Sequence, residues 1–520
     1  MSTKDGKGFS LLDSPWLPVR MLDGTTRELG LLDAFARINE IAALAETAPP
    51  SLIAQYRLLL AITHRALTRA PGSWKNKDRA AWYRDGLPLE AIRDYLEHWR
   101  EHFWLFHSER PFMQVSALAT AEETRDKLKP WTQISLASAN GNTPVVFDHS
   151  CDLAPSWISP AQALRTLLGF LQFTPGGLVK TLRDSDKAGA LANTAAVLPL
   201  GATLGQTLCL ALHSSTPVGH DDLPAWERPV STLTQLRGEP EPASGPNDRY
   251  TRLSRAVLLL NEEGHVRWLR FAAGIALGDD PNAPDPMASY RAGSNGLVRL
   301  SFTEGRAFWR DLPVLVPDAE GRFSQQAAVL GHAANLHAQS FQRTEQPLLV
   351  AGLASDQAKL LRWRAERIAL PTALLADPAL AQDLRELVGK AEELFGEIRK
   401  IATGMLAETL PDPSSKDTRA RARSLFDAGP VTALFFSTAE RALGRTMLAL
   451  VEDSYEQAEA HWKQALLLAA EAAWDVLCDG LGRSPAALRA EAKAYPRFRA
   501  RLREWQPTPN PLPDAKEAQP

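Results

Sequence analysis

The chain has 520 residues, 45% of them hydrophobic and 23% charged, with a formal net charge of −3. That balance excludes wholesale disorder, and the length predicts two to four domains at roughly 100–200 residues each. The slightly acidic total also excludes a free-standing, strongly basic nucleic-acid binder, so any nucleic-acid contact must come from local patches or from a field that partners supply.

Residues 1–10 are polar and predict a flexible N-terminus without an apolar signal core. From residue 11 to about 360 the texture is mixed. Helical stretches at 52–68 and 89–106 alternate with short apolar runs at Val197–Leu200, Leu208–Leu212, Ala256–Leu260 and Val314–Val316. Turn residues bound these runs, so they read as strands. Segments 138–156 and 278–296, rich in Asn, Gly, Asp and Pro, read as long loops of the kind that often carry function.

Beyond about residue 360 the pattern becomes helical. Leu380, Leu384, Leu387, Ala391, Leu394, Ile398, Ile401 and Met405 recur at spacings of three and four, which predicts one apolar stripe on a helix over 378–408. Asp377 is its expected N-cap, Pro378 its first residue, and Glu386–Lys390 a supporting i,i+4 pair. Further helical segments at 417–450, 453–480 and 484–504 complete an expected four-helix bundle over 361–505. The tail 506–520 is rich in proline and polar residues and predicts disorder. The fold class read from this order is α+β: a large mixed α/β domain over 11–360, then the bundle.

Chemistry is sparse. The three cysteines, Cys151, Cys209 and Cys478, are far apart and form no CxxC pair. They predict neither a disulfide framework nor a cysteine zinc site, and they fit a reducing cytoplasm. No apolar run reaches the roughly 20 residues of a membrane span. His98-Trp99-Arg100-Glu101-His102 matches H-x-x-E-H, an inverted zinc-protease pattern, and leaves a zinc-dependent hydrolase open as the alternative reading. Trp99, Phe103, Trp104 and Phe106 equally make this string the inward face of an aromatic helix. Asp279, Asp280 and Asp285 form an acidic loop whose prolines favour a solvated turn over a metal site. Nucleophile-elbow, Walker and dinucleotide fingerprints are absent from the sequence.

Other features suit DNA. Thr174-Pro175-Gly176-Gly177-Leu178-Val179-Lys180 sets two glycines beside a lysine, and a backbone without side chains can approach a ligand closely. A plain turn is the simpler alternative. Ser355-Asp356-Gln357-Ala358 reads as the start of a helix after Gly352, with Lys359, Arg362, Arg364 and Arg367 on it. Arg489, Lys493, Arg497, Arg499, Arg501 and Arg503 crowd the last helix. With Arg419, Arg421 and Arg423 they offer either a backbone-contacting surface or an ordinary solvated face.

Three strings in order carry a family resemblance. Phe9-Ser10-Leu11-Leu12-Asp13-Ser14-Pro15-Trp16-Leu17-Pro18-Val19, Glu109-Arg110-Pro111-Phe112-Met113-Gln114 and Ser437-Thr438-Ala439-Glu440-Arg441 resemble segments of the CasA family, the large subunit of type I-E CRISPR Cascade. The resemblance spans nearly the whole chain. It implies a non-catalytic subunit, without cofactor or metal, of a ribonucleoprotein that recognises the protospacer-adjacent motif in double-stranded DNA. It further implies that the subunit promotes strand separation and R-loop formation and helps recruit a helicase-nuclease. The implied partners are crRNA, target DNA, the backbone, small and 5′-handle-binding Cascade subunits, and the helicase-nuclease, with no membrane.

Position by position, the resemblance assigns Gly176, Gly177, Leu178 and Lys180 to a glycine loop that enters the minor groove. It assigns Gln357, flanked by Asp356 and Ala358, to a wedge that splits the first base pairs. Asn140, Asn142 and Phe147 fall in a loop that reaches the guide's 5′ end and a neighbouring subunit. Arg270 and Arg291 are candidates for a motif-contacting lysine of the family. The clustered cysteines of some members are missing here, and the glycine loop is poorer in glycine than in some relatives, so the preferred motif is expected to differ.

Overall fold

The computed structural model describes residues 8–69, 73–138, 152–177, 179, 181–214, 221–279, 284–294, 296–340, 344–356 and 359–506. The chain divides into two compact units. One comprises residues up to Glu304 together with Glu320–Thr372; the other comprises Gly305–Ala319 and Ala373 onward.

The first unit is organised around the helix Pro49–Arg69, which is buried along most of its length. A helix buried on every side belongs inside a core, and its polar residues must then find partners there. Arg57 does so with Asp285: both side chains are fully buried, 2.7 Å apart. The helix Pro160–Phe173 packs on it, started by Ser159, whose hydroxyl accepts from Gln162 N. Gly169 permits the contact, since a Cβ there would sit 2.7 Å from Ser51 Oγ and 2.9 Å from Ser51 N.

Small antiparallel sheets surround this pair. Leu17–Met21 lies between Thr26–Leu29 and Ile41–Leu44. Arg255–Glu262 and His265–Ala273 form a hairpin whose turn places Glu263 and Gly264 at φ 54° and 85°, the positive pair that a tight two-residue turn demands. Tyr290–Gly293 pairs with Gly296–Arg299 and with Ser324–Gln325. The longest pairing is the hairpin of Glu345–Asp356 with Lys359–Pro371, and the strand Ala195–Pro199 joins its inner edge. At that edge Gly352 is obligatory, because an added Cβ would lie 2.2 Å from Thr194 O.

In the second unit, Pro378–Glu408, Val431–Glu452, Tyr455–Leu481 and Pro485–Glu504 are the four long helices, accompanied by the shorter Lys416–Ala428. The Asp377 carboxylate accepts from Ala379 N and Leu380 N, as the N-cap pattern predicts. Leu384, Leu387, Ala391, Leu394, Ile398 and Met405 are buried. An aromatic cluster of Phe395, Phe435 and Phe436, with Trp309 and Trp462, fills the centre. Arg310 stacks on Phe436 at 3.6 Å and grips Glu392 through two 2.7 Å bonds.

Several expectations change. Leu208–Leu212 is mostly helix (Leu204–Ala211, capped by Thr203), because a short, fully buried apolar run has no periodicity to tell strand from helix. Val314–Val316 follows the same logic and ends a 3-10 segment, Phe308–Val314. The 89–106 helix stops at His98; a 3-10 turn and the strand Trp104–Phe106 follow. The 278–296 loop gives way to the Tyr290–Gly293 strand.

Ser355, Asp356 and residues 359–367 do not form a helix; they lie in the strands of the hairpin, so position 360 falls inside a strand and the second unit takes up the chain again at Ala373. The basic residues Arg362, Arg364 and Arg367 stand at spacings of two and three, so their pattern selects neither period. Segment 417–450 splits at Gly429-Pro430 into two helices. Lys390 turns to Glu459 and Tyr455 rather than to Glu386, which itself accepts from the Tyr455 hydroxyl.

Candidate nucleic-acid interface

The glycine loop starts where the Pro160–Phe173 helix ends. Thr174 closes that helix, its N–H donating to Phe170 O at 2.8 Å. Pro175, Gly176 and Gly177 then run exposed. Gly177 stands at φ +153°, a conformation that favours glycine, and a Cβ there would meet nothing within 4 Å. It exchanges two backbone hydrogen bonds with Asp186, at 3.1 and 2.8 Å. The chain therefore leaves at 177 and returns at 186 as a narrow loop. Leu178 and Lys180 lie outside the described residues.

The base of this loop is held by buried charge, in residues that no sequence motif marked. Asp186 is fully buried and pairs with Arg183 at 2.6 Å and Arg255 at 3.0 Å. Its carboxylate also accepts from Lys187 N and Gly274 N, each at 2.9 Å. Arg255 donates to Pro175 O at 2.5 Å and Lys187 O at 2.7 Å, one on each side of the loop. Burial pushes the Asp186 carboxyl up and the Arg255 guanidinium down, each opposed by the other's charge.

The segment that closes the loop runs on into the strand Ala195–Pro199, which pairs with Leu348–Gly352 of the long hairpin. Loop base and hairpin thus belong to one continuous framework. At the hairpin's far end Asp356 pairs with Lys359. Gln357 and Ala358 stand between them in the sequence and lie outside the described residues. Asn140, Asn142 and Phe147 also lie outside them; the described chain resumes at Asp152, which accepts from Thr132.

Arg270 and Arg291 are not equivalent. Arg270 sits within the His265–Ala273 strand and donates twice to Arg125 O, at 3.0 and 3.3 Å, so it anchors a neighbouring turn. Arg291 is exposed, directly opposite Val298 in its hairpin. In the helical unit, Lys493 pairs with Glu408, Arg499 with Glu471, and Arg501 with Glu504. Arg419, Arg421, Arg423, Arg489 and Arg497 are exposed.

The tempting metal sites do not form. His98 ends an α-helix and His102 lies in a separate 3-10 turn, so the two are not one turn apart on a single helix face. Nδ1 of His102 lies 2.5 Å from Trp226 O and Nε2 lies 3.4 Å from the Arg110 guanidinium, which occupies both ring nitrogens. Asp285 is the buried partner of Arg57 rather than part of a solvated turn; Asp279 is exposed and Asp280 lies outside the described residues. Among the described residues no group of three or more His, Cys, Asp or Glu side chains is placed to hold a metal ion, and no helix is long and apolar enough to cross a membrane.

The first two signature strings are framework. Trp16 is fully buried and its indole N–H donates to Leu11 O. Gln114 donates to Leu105 O and accepts from Leu259 N, each at 2.7 Å, tying the Pro-Phe-Met-Gln segment to a core strand.

A mixed helix-and-sheet unit with a braced glycine loop, followed by a helical bundle, defines the class: a large two-part α+β protein. Residues 10–473 match the family model described as CRISPR-associated protein Cse1. The CasA/Cse1 protein of Thermus thermophilus is 34% identical over 504 residues, covering 94% of this chain and 96% of that protein. A solved structure of Thermus thermophilus CasA (Cse1) superposes with a TM-score of 0.82 at 32% identity, over 96% of this chain and all of that one. A chain of a CRISPR RNA-guided surveillance complex shares the fold, with a TM-score of 0.75 at 24% identity, over 95% of this chain and 99% of that one. The chain belongs to the Cse1 (CasA) family, the large subunit of type I-E Cascade.

Proposed function

We propose that this chain is the non-catalytic subunit of a crRNA-guided surveillance complex that recognises the protospacer-adjacent motif in duplex DNA and starts strand separation. The observation that carries the reading is the solvent-exposed Gly176–Gly177 backbone, at the mouth of a loop whose base is braced by buried charge. A backbone without side chains fits the narrow minor groove, where donor and acceptor patterns are degenerate and reading is permissive. Gln357 is the proposed wedge and Arg291 the better of the two arginine candidates for a motif contact. Unstacking a base step costs a few kcal/mol, which guide pairing and the extra contacts repay.

The proposed partners are crRNA, target DNA, the other Cascade subunits and a recruited helicase-nuclease. A net charge of −3 fits a subunit docked on a basic assembly. Gln357→Ala and Gly177→Asp are expected to weaken binding of duplex target by the assembled complex, with a much smaller effect on an already opened target. Unchanged duplex binding by both variants would refute the site assignment.

A further inference from the structure

We propose that Arg255 and Asp186 are positioning residues for the glycine loop, clamping its two sides so that Gly176 and Gly177 meet DNA in one preset conformation. The inference rests on reading that loop as the groove-entering element. Two adjacent glycines offer no side chains with which to hold themselves, and glycine loses the most backbone freedom on ordering. Gly177 is held through its backbone pair with Asp186, so whatever fixes Asp186 and the Pro175 side fixes the glycines.

The Arg255 guanidinium does so from the start of the Arg255–Glu262 strand. One nitrogen bonds Pro175 O on the outgoing side, at 2.5 Å; the other bonds Lys187 O on the returning side, at 2.7 Å, and Asp186 at 3.0 Å. Asp186 makes both backbone bonds to Gly177, and its carboxylate ties the returning side to Gly274 N at 2.9 Å. Arg183 adds a second guanidinium, bonded to Asp186 and to the carbonyls of Gly238 and Gly274. The Arg255 and Asp186 side chains are 3% and 0% exposed. A buried pair of this kind is a poor source of stability, because desolvation offsets the attraction. What it supplies is direction: a rigid planar fork fixes two carbonyl oxygens at a set spacing, which a lysine ammonium cannot do. A loop set in advance avoids an ordering cost at the moment of binding.

The test uses the complex assembled with guide RNA and companion subunits, carrying Arg255→Lys, Asp186→Asn or Gly177→Asp. Arg255→Lys keeps the charge beside Asp186 and removes the double carbonyl contact. It should weaken duplex-target binding about tenfold and leave opened-target binding within about twofold. Amide exchange at Gly177 and Lys187 should quicken while that of Ala195–Pro199 stays the same; Asp186→Asn should act in the same direction. Equal loss on both targets, or failure of the Arg255→Lys chain to assemble at all, overturns the inference in favour of a general folding role. Harm from Gly177→Asp without harm from Arg255→Lys overturns the positioning role alone; harm from neither overturns the groove reading itself.

Discussion

Buried polar residues define how this protein answers to pH. His64 and His213 stack at 3.8 Å between ring centroids in the core of the first unit. His64 bonds Ser214 O and Asn247, whereas neither ring nitrogen of His213 has a hydrogen-bond partner among the described residues. Burial drives His64 to about 4 and His332 to about 4, and holds His213 well below the ordinary histidine value; Arg65 beside His64 and Arg79 beside His332 add to the effect. All three are neutral in the folded state, while the unfolded chain takes up their protons below about pH 6.5. Stability is therefore complete above that value and falls as pH drops from about 6.5 toward 4. Asp222, raised mainly by burial, opposes the loss in part. The melting temperature of the purified chain should decline over that window, and His213→Leu should flatten the decline. None of this was legible in sequence: an isolated histidine carries no mark of its depth.

At the scale of elements, glycine decides how closely neighbours approach. Gly352 lies where the Ala195–Pro199 strand crosses the long hairpin, with Thr194 O occupying the space of a Cβ. Gly352→Val should push that strand away and cost at least about 2 kcal/mol, since overpacking and lost ladder bonds add. A lowered melting temperature, with faster amide exchange in both strands, is the readout. The same region shows why sequence reading failed at 355–367. Arg362 and Arg364 are two positions apart, a strand spacing, whereas Arg364 and Arg367 are three apart, a helical one, and only the pairing of Glu345–Asp356 with Lys359–Pro371 selects the strand. Where a period was long and unambiguous, as in Pro378–Glu408 with its Asp377 cap, local sequence was sufficient.

For the whole molecule, the charge balance bears on the proposed contact with DNA. Arginines exposed on the bundle, among them Arg419, Arg423 and Arg497, offer phosphate contacts, but a net −3 gives the isolated chain little long-range attraction. The isolated chain should bind duplex DNA at least about tenfold more weakly than the assembled complex near 0.15 M salt, and its affinity should fall steeply with added salt. Fluorescence anisotropy across a salt series measures both. Equal affinities would place the whole DNA-binding field on this subunit and refute the division of labour proposed here.

Sequence alone determined the mixed α/β-then-helical order, the long helices and, through three short strings, the family. Those features depend on local periodicity and on framework residues such as Trp16 and Gln114, whose side chains bond backbone close to them in the fold. Tertiary structure alone decided that Asp285 is a core ion pair, that His98 and His102 share no helix face, and that Arg183, Asp186 and Arg255 converge beneath the glycine loop. Those three come from segments up to 72 positions apart. No local spacing encodes such a meeting, because it is produced by the folding of a hairpin against a loop.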